Sequence, residues 1–74
     1  MGIVNNQFIK DLEKKLGPLP ENFGDYEKEG DNYADNGQYD EAAAVYNHAS
    51  RVAPANHPIH KKRMDALEKS LKQD

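Results

Sequence analysis

Three groups of side chains in this 74-residue chain could do chemistry: paired histidines, clustered carboxylates and regularly spaced tyrosines. His57-x-x-His60 sets two imidazoles three residues apart, a spacing that can share a metal ion on a helix. His57 precedes Pro58 at a helix start, however, and the sequence fixes no third ligand nearby, so capping or solvated histidines are expected. Asp25, Glu27, Glu29, Asp31 and Asp35 form an acidic cluster that could suggest calcium. The oxygen-ligand loop with its central Gly and terminal Glu is missing, and a solvated helix face is the plainer reading. Tyr26, Tyr33, Tyr39 and Tyr46 could stack on nucleobases, yet packing between two helices accounts for their spacing. Nucleophilic chemistry lacks its parts. The chain has no Cys, no Gly-rich phosphate loop and no Gly-x-Ser-x-Gly, and Ser50 and Ser70 fall mid-helix with no base held beside them. His48 is expected at the surface or at an interface. No catalytic, cofactor-binding or metal-binding residue is therefore expected.

The elements that carry these residues are helical. Tyr26, Gly30 and Tyr33 share one stripe by i, i+4, i+7 spacing, and Ala42, Tyr46 and Ala49 repeat the intervals on the next segment. Gly30 and the alanines let two helix axes approach closely while the tyrosines fill the gaps between them. Asn36-Gly37 stops the first of these helices, since Gly accepts the left-handed backbone of a C-cap. Asp40 and Glu41 then fall in the first turn of the second, where carboxylates suit the positive end of the helix dipole. Four helices are expected, over residues 5–16, 23–36, 39–53 and 58–72. The first buries Phe8, Ile9, Leu12 and Leu16 and ends at Gly17-Pro18. Asn22 is the expected N-cap of the second, and Asn56 or His57 that of the fourth. The fourth turns Ile59, Met64, Leu67 and Leu71 inward and keeps Lys62, Arg63, Lys69 and Lys72 outside. No segment alternates as a strand would.

The run Tyr26-x₃-Gly30-x₂-Tyr33-x₃-Gly37-x-Tyr39-x₂-Ala42-x₃-Tyr46-x₂-Ala49-x₄-Pro54 resembles one tetratricopeptide repeat, at about residues 23–56. Glu29 departs from the pattern, standing where that family usually carries Leu. The turn Pro20-Glu21-Asn22 recurs 34 residues later as Pro54-Ala55-Asn56, so the repeat length appears twice. The expected fold is therefore all-α: a helix–turn–helix unit with an added N-terminal and C-terminal helix, a fragment of a right-handed solenoid. One domain spans residues 1–74: a helix and loop (1–20), a full repeat (21–56) and a capping helix (57–74). The resemblance implies a non-catalytic adaptor or interaction module whose first repeat helix lines a peptide groove. Its partner-facing residues would be Glu27, Asp31, Ala34 and Asp35, with Lys61, Asp65 and Glu68 on the fourth helix. The family's clamp for terminal carboxylates uses Lys and Asn on this face, whereas Glu27 and Asp31 would repel such a group and favour a basic or mixed-charge ligand. Two other readings stand beside this one. The chain could stack on an enzyme or on itself, as monomer or homodimer. It is also similar to the three-helix microtubule-interacting and trafficking domain, although the short Asn36-Gly37 turn and Pro54 suit the tetratricopeptide unit better.

Composition narrows the partners. A net charge of −3 argues against nucleic acid. No apolar run approaches the ~20 residues of a membrane span and no signal peptide is evident, so the cytoplasm is the expected location. Met1-Gly2 would begin a myristoylation signal, but Asn6 stands where Ser or Thr is needed. Charge divides along the chain: residues 21–41 are acidic, while Lys61, Lys62, Arg63, Lys69 and Lys72 make the last segment basic. Two explanations remain open, complementarity between neighbouring helices and an acidic face for a basic partner.

Overall fold

A Gly or a Pro stands in each link between consecutive helices. The computed structural model of the protein describes residues 6–72, with helices α1 (Asn6–Leu16), α2 (Phe23–Asp35), α3 (Tyr39–Ser50) and α4 (Ile59–Lys72) and no strand among the described residues. Met1, Gly2 and the first residue of the expected α1 lie outside the described residues. Gly17 ends α1 at φ +89°, and Lys14 and Lys15 sit in the last turn, where cations suit the dipole. Gly37, at φ +76°, closes α2 with a Schellman pair. Its N–H donates to Ala34 O at 3.0 Å and that of Gln38 to Tyr33 O at 2.8 Å. This three-residue link folds α3 back antiparallel to α2.

Several local expectations change. Asn22 makes no side-chain cap; its Nδ2 instead donates to Pro18 O at 2.9 Å and braces the loop before α2. Helix α3 stops at Ser50 instead of Ala53, because Pro54 disfavours the helical region for the residue before it. The last turn loosens into i→i+3 bonds from Val52 to Ala49 and from Ala53 to Ser50. His57 does cap α4, its Nδ1 accepting from the Ile59 N–H at 3.0 Å.

The core sits where α3 meets the other helices. Tyr26, Ala42, Val45, Ala49 and Ile59 are fully buried, and Leu12, Tyr46 and Ala66 nearly so. Small residues on α3 bring the axes together, and Gly30 lies directly against the Tyr46 ring. Helix α1 docks through Leu12, with Phe8 and Leu16 packed at the margin of the core. The Tyr26 hydroxyl donates to Gly17 O at 2.5 Å, tying the end of α1 to α2. Burying each large apolar side chain contributes about 1.5–3 kcal/mol. An exposed ion pair contributes about 0.2–1 kcal/mol. Packing therefore holds the fold, and the charges choose among ways of packing.

Helix α4 shows that choice. Met64, Leu67 and Leu71, expected inside, are 63%, 47% and 76% exposed. The inward stripe is Ile59, Lys62 and Ala66, at i, i+3, i+7 spacing. Ala66 permits close approach to α3, and Lys62 faces two α2 carboxylates that an apolar stripe would leave unpaired. Helix α4 runs antiparallel to α3, with Lys69 near its end placed 5.4 Å over the ring of Tyr39 at the start of α3.

Candidate interaction face

Helices α2 and α4 flank α3 on one side and bring their polar residues together above it. Lys62 Nζ lies 2.9 Å from Glu27 Oε2 and 3.2 Å from both Asp31 carboxylate oxygens. Asp31 also accepts the Tyr46 hydroxyl at 2.5 Å. One half-buried cation thus bridges two carboxylates, and a buried phenol anchors the second. The Glu27 hydrogen bond, opposed by burial and aided by Asp31, raises the Lys62 pKa. Burial first, then the hydrogen bond to Asp31 and the surrounding carboxylates, pushes the Tyr46 hydroxyl far above the usual tyrosine range. Both groups keep their protons at neutral pH, and neither is poised as a base or a nucleophile.

This bridge borders a small cleft of about 90 Å³, lined by Asp31 and Ala34 from α2, Tyr39 and Tyr46 from α3, and Lys62, Asp65, Ala66 and Lys69 from α4. Three of the partner-facing residues expected from sequence, Asp31, Ala34 and Asp65, therefore converge on one depression. Glu27 joins them through Lys62. Asp35 is exposed at the α2 end and its charge reaches Tyr46. Lys61 is exposed and does not line the cleft, and Glu68 pairs with Lys72 at 3.8 Å on the solvent side. Asp65 is exposed and pairs with Lys69 at 3.4 Å. Of the carboxylates on this face, Glu27 and Asp31 are committed internally, while Asp35 and Asp65 meet solvent.

The apolar pattern of α4 puts Lys62 on the outer face, and the structure turns it inward. The signal is present in the spacing, since Lys62 lies three residues after Ile59 and four before Ala66. Glu29, the position that departs from the repeat pattern, is also explained: it is half-buried and receives Lys15 Nζ of α1 at 2.9 Å. That bond raises the Lys15 pKa. His48 links α3 to α1 through Glu13 at 3.2 Å and packs on Tyr26, so it stands at an interface between helices. His60 Nε2 lies 2.9 Å from Pro54 O, so the two histidines of the His-x-x-His pair serve the loop and the cap separately.

Among the described residues, no group of three or more His, Asp or Glu side chains is placed to hold a metal ion, and no helix is long and apolar enough to cross a membrane. No protein-family model, curated protein or solved structure matches the chain.

Proposed function

We propose that the chain is a non-catalytic protein-interaction module of tetratricopeptide type, whose α2–α4 face takes a peptide of basic or mixed charge. One observation supports this reading most. Asp31, Ala34 and Asp65, from two separate helices, share a cleft near which the carboxylates of Asp65 and Asp35 face solvent. Lys62 already satisfies Glu27 and Asp31, so they stiffen the face, while Asp35 is left to meet a ligand cation and Asp65 can exchange its exposed pair with Lys69 for one. Tyr39 gives the cleft an aromatic wall over which a ligand cation can sit, in the place the Lys69 ammonium takes now.

The test uses isotope-labelled protein titrated with an Arg-Ala repeat peptide and with its Glu-Ala counterpart. Amide shifts at Asp31, Ala34 and Asp65 are expected with the basic peptide only. They should fade with added salt, since exposed charges are screened beyond about 10 Å at 0.1 M. The double variant Asp35→Lys/Asp65→Lys leaves the Lys62 bridge intact and should abolish the response. Equal shifts with both peptides, or an undiminished response in the double variant, would refute the assignment.

A further inference from the structure

A different surface lies between α3 and α4, away from the cleft just described. The exposed Met64, Leu67 and Leu71 form an apolar stripe at i, i+3, i+7 spacing. Leu67 also lines a groove of about 410 Å³ whose α3 wall is Ala43, Ala44 and Asn47. The two alanines offer only methyl groups, so the floor is shallow and apolar. Its ends differ in charge. Because α3 and α4 are antiparallel, Arg63 lies beside Asn47 at one end, and Asp40 beside Ser70 at the other. Arg63 and Asp40 are each half-buried, and neither side chain has a hydrogen-bond or ion-pair partner among the described residues.

The internal repeat indicates what shape fits. A shift of 34 residues carries Gly30 onto Met64 and Tyr33 onto Leu67. On α2 that face holds α3 in antiparallel contact, with Gly30 against the Tyr46 ring. A helix laid antiparallel to α4 would put its positive N-terminal end beside Asp40 and its negative C-terminal end beside Arg63. We propose that the α3–α4 groove docks an amphipathic helix of another protein, with apolar residues at i, i+3 or i+4, and i+7, bases in its first turn and acids in its last. The wall from Asp40 to Asn47 matches about two helical turns, at about 1.5 Å per residue. A second copy of this chain suits the groove poorly. Helix α1 ends in Lys14 and Lys15 and α4 in Lys69 and Lys72, so either would bring like charge to Arg63.

The probe is a synthetic amphipathic helix with Lys and Arg in the first turn, Leu on one face and Glu in the last turn. Its control has the two charged ends exchanged. By fluorescence anisotropy the first should bind at least about tenfold tighter than the control, equivalent to about 1.4 kcal/mol. Amide shifts should map to Ala43, Ala44 and Leu67. Arg63→Glu should erase the preference between the two peptides, and the double variant Asp40→Lys/Arg63→Glu should invert it. Leu67→Lys, at an already exposed position, should abolish binding of both without lowering the melting temperature. Equal affinity for the two peptides, no binding, or shifts confined to the α2–α4 cleft would overturn the proposal. So would a concentration-dependent dimer, seen by sedimentation, that Leu67→Lys dissolves; that result would assign the groove to a second copy.

Discussion

Gly30 marks the closest approach in the α2–α3 hairpin, and adding one methyl group there measures how tight the crossing is. A Cβ on Gly30 would stand 2.5 Å from Tyr46 Cε1 and 2.7 Å from Cδ1. Carbon atoms in comfortable contact are about 3.5–4.0 Å apart. The ring has little freedom to retreat. Tyr46 is only 3% exposed, and its hydroxyl is bound to Asp31, which Lys62 holds in turn. Gly30→Ala must displace the ring or part the helices, at about 1–3 kcal/mol for overpacking. It also strains a hydrogen bond to a charged acceptor, a class that contributes about 1.5–3 kcal/mol. Against this, Ala in place of Gly favours a helix by about 1 kcal/mol. The net expectation is a loss of about 1–3 kcal/mol. At about 4–8 °C per kcal/mol for a domain of this size, the melting temperature should fall by about 5 °C or more. Gly24 supplies the control within the same helix. It is exposed and nothing lies within 4 Å of its added Cβ. Gly24→Ala should leave stability unchanged or raise it by up to about 1 kcal/mol. Thermal melts followed by circular dichroism decide the matter. If Gly30→Ala melts at or above wild type, the close crossing does not exist as described.

Two further outcomes follow from the packing and the charges. Leu12→Ala should cost about 2–4 kcal/mol in urea unfolding, because Leu12 is the buried anchor of α1; a loss under about 1 kcal/mol would mean α1 is not part of the cooperative core. Tyr46 has its pKa raised above the ordinary 10.0, so above pH ~10 the unfolded chain sheds a proton the folded one keeps, and stability falls. The contribution of Lys62 is fully present below its ordinary 10.5 and is lost as pH climbs through its raised folded value, which acts in the same direction. Urea midpoints should therefore decline above pH ~10, and less steeply in Tyr46→Phe; an identical slope in the variant would refute the role given to this phenol.

Residues that obey simple periodicity are legible in the amino-acid sequence. Tyr26, Gly30, Ala42, Tyr46 and Ala49 carry spacing that only a close helix pair explains, and they form the hairpin core as expected. Gly17 and Gly37 mark the two helix stops through their positive φ. The rotation of α4 is not legible from hydrophobicity. Its bulkier apolar residues, Met64, Leu67 and Leu71, outweigh Ile59 and Ala66 on any apolar count, yet they point outward. An apolar count ignores what the opposing surface presents. The expected Asn22 cap is absent for a similar local reason, since the Pro18 carbonyl competes for its side chain.

The bridge at Lys62 accounts for the division of the molecule into two faces. Helix α4 carries two stripes and packs chiefly on α3, and the α2 edge that Lys62 reaches carries Glu27 and Asp31. Placing Met64 and Leu67 there would gain apolar burial worth about 1.5–3 kcal/mol each when complete. It would also take the cation from Glu27 and Asp31, a loss that water partly offsets because those side chains are 25% and 43% exposed, and it would bring Ile59 and Ala66 out of the core. Turning Lys62 inward removes that penalty, and Ile59 and Ala66 still bury apolar surface beside it. The rotation that satisfies the charges exposes the stripe on the opposite side. The same choice therefore engages Glu27 and Asp31 internally, leaves Asp35 and Asp65 facing solvent, and leaves Leu67 and Arg63 for the proposed partner helix. Both proposed surfaces follow from that orientation of α4, which Ile59 and Ala66 hold through burial and Lys62 through charge.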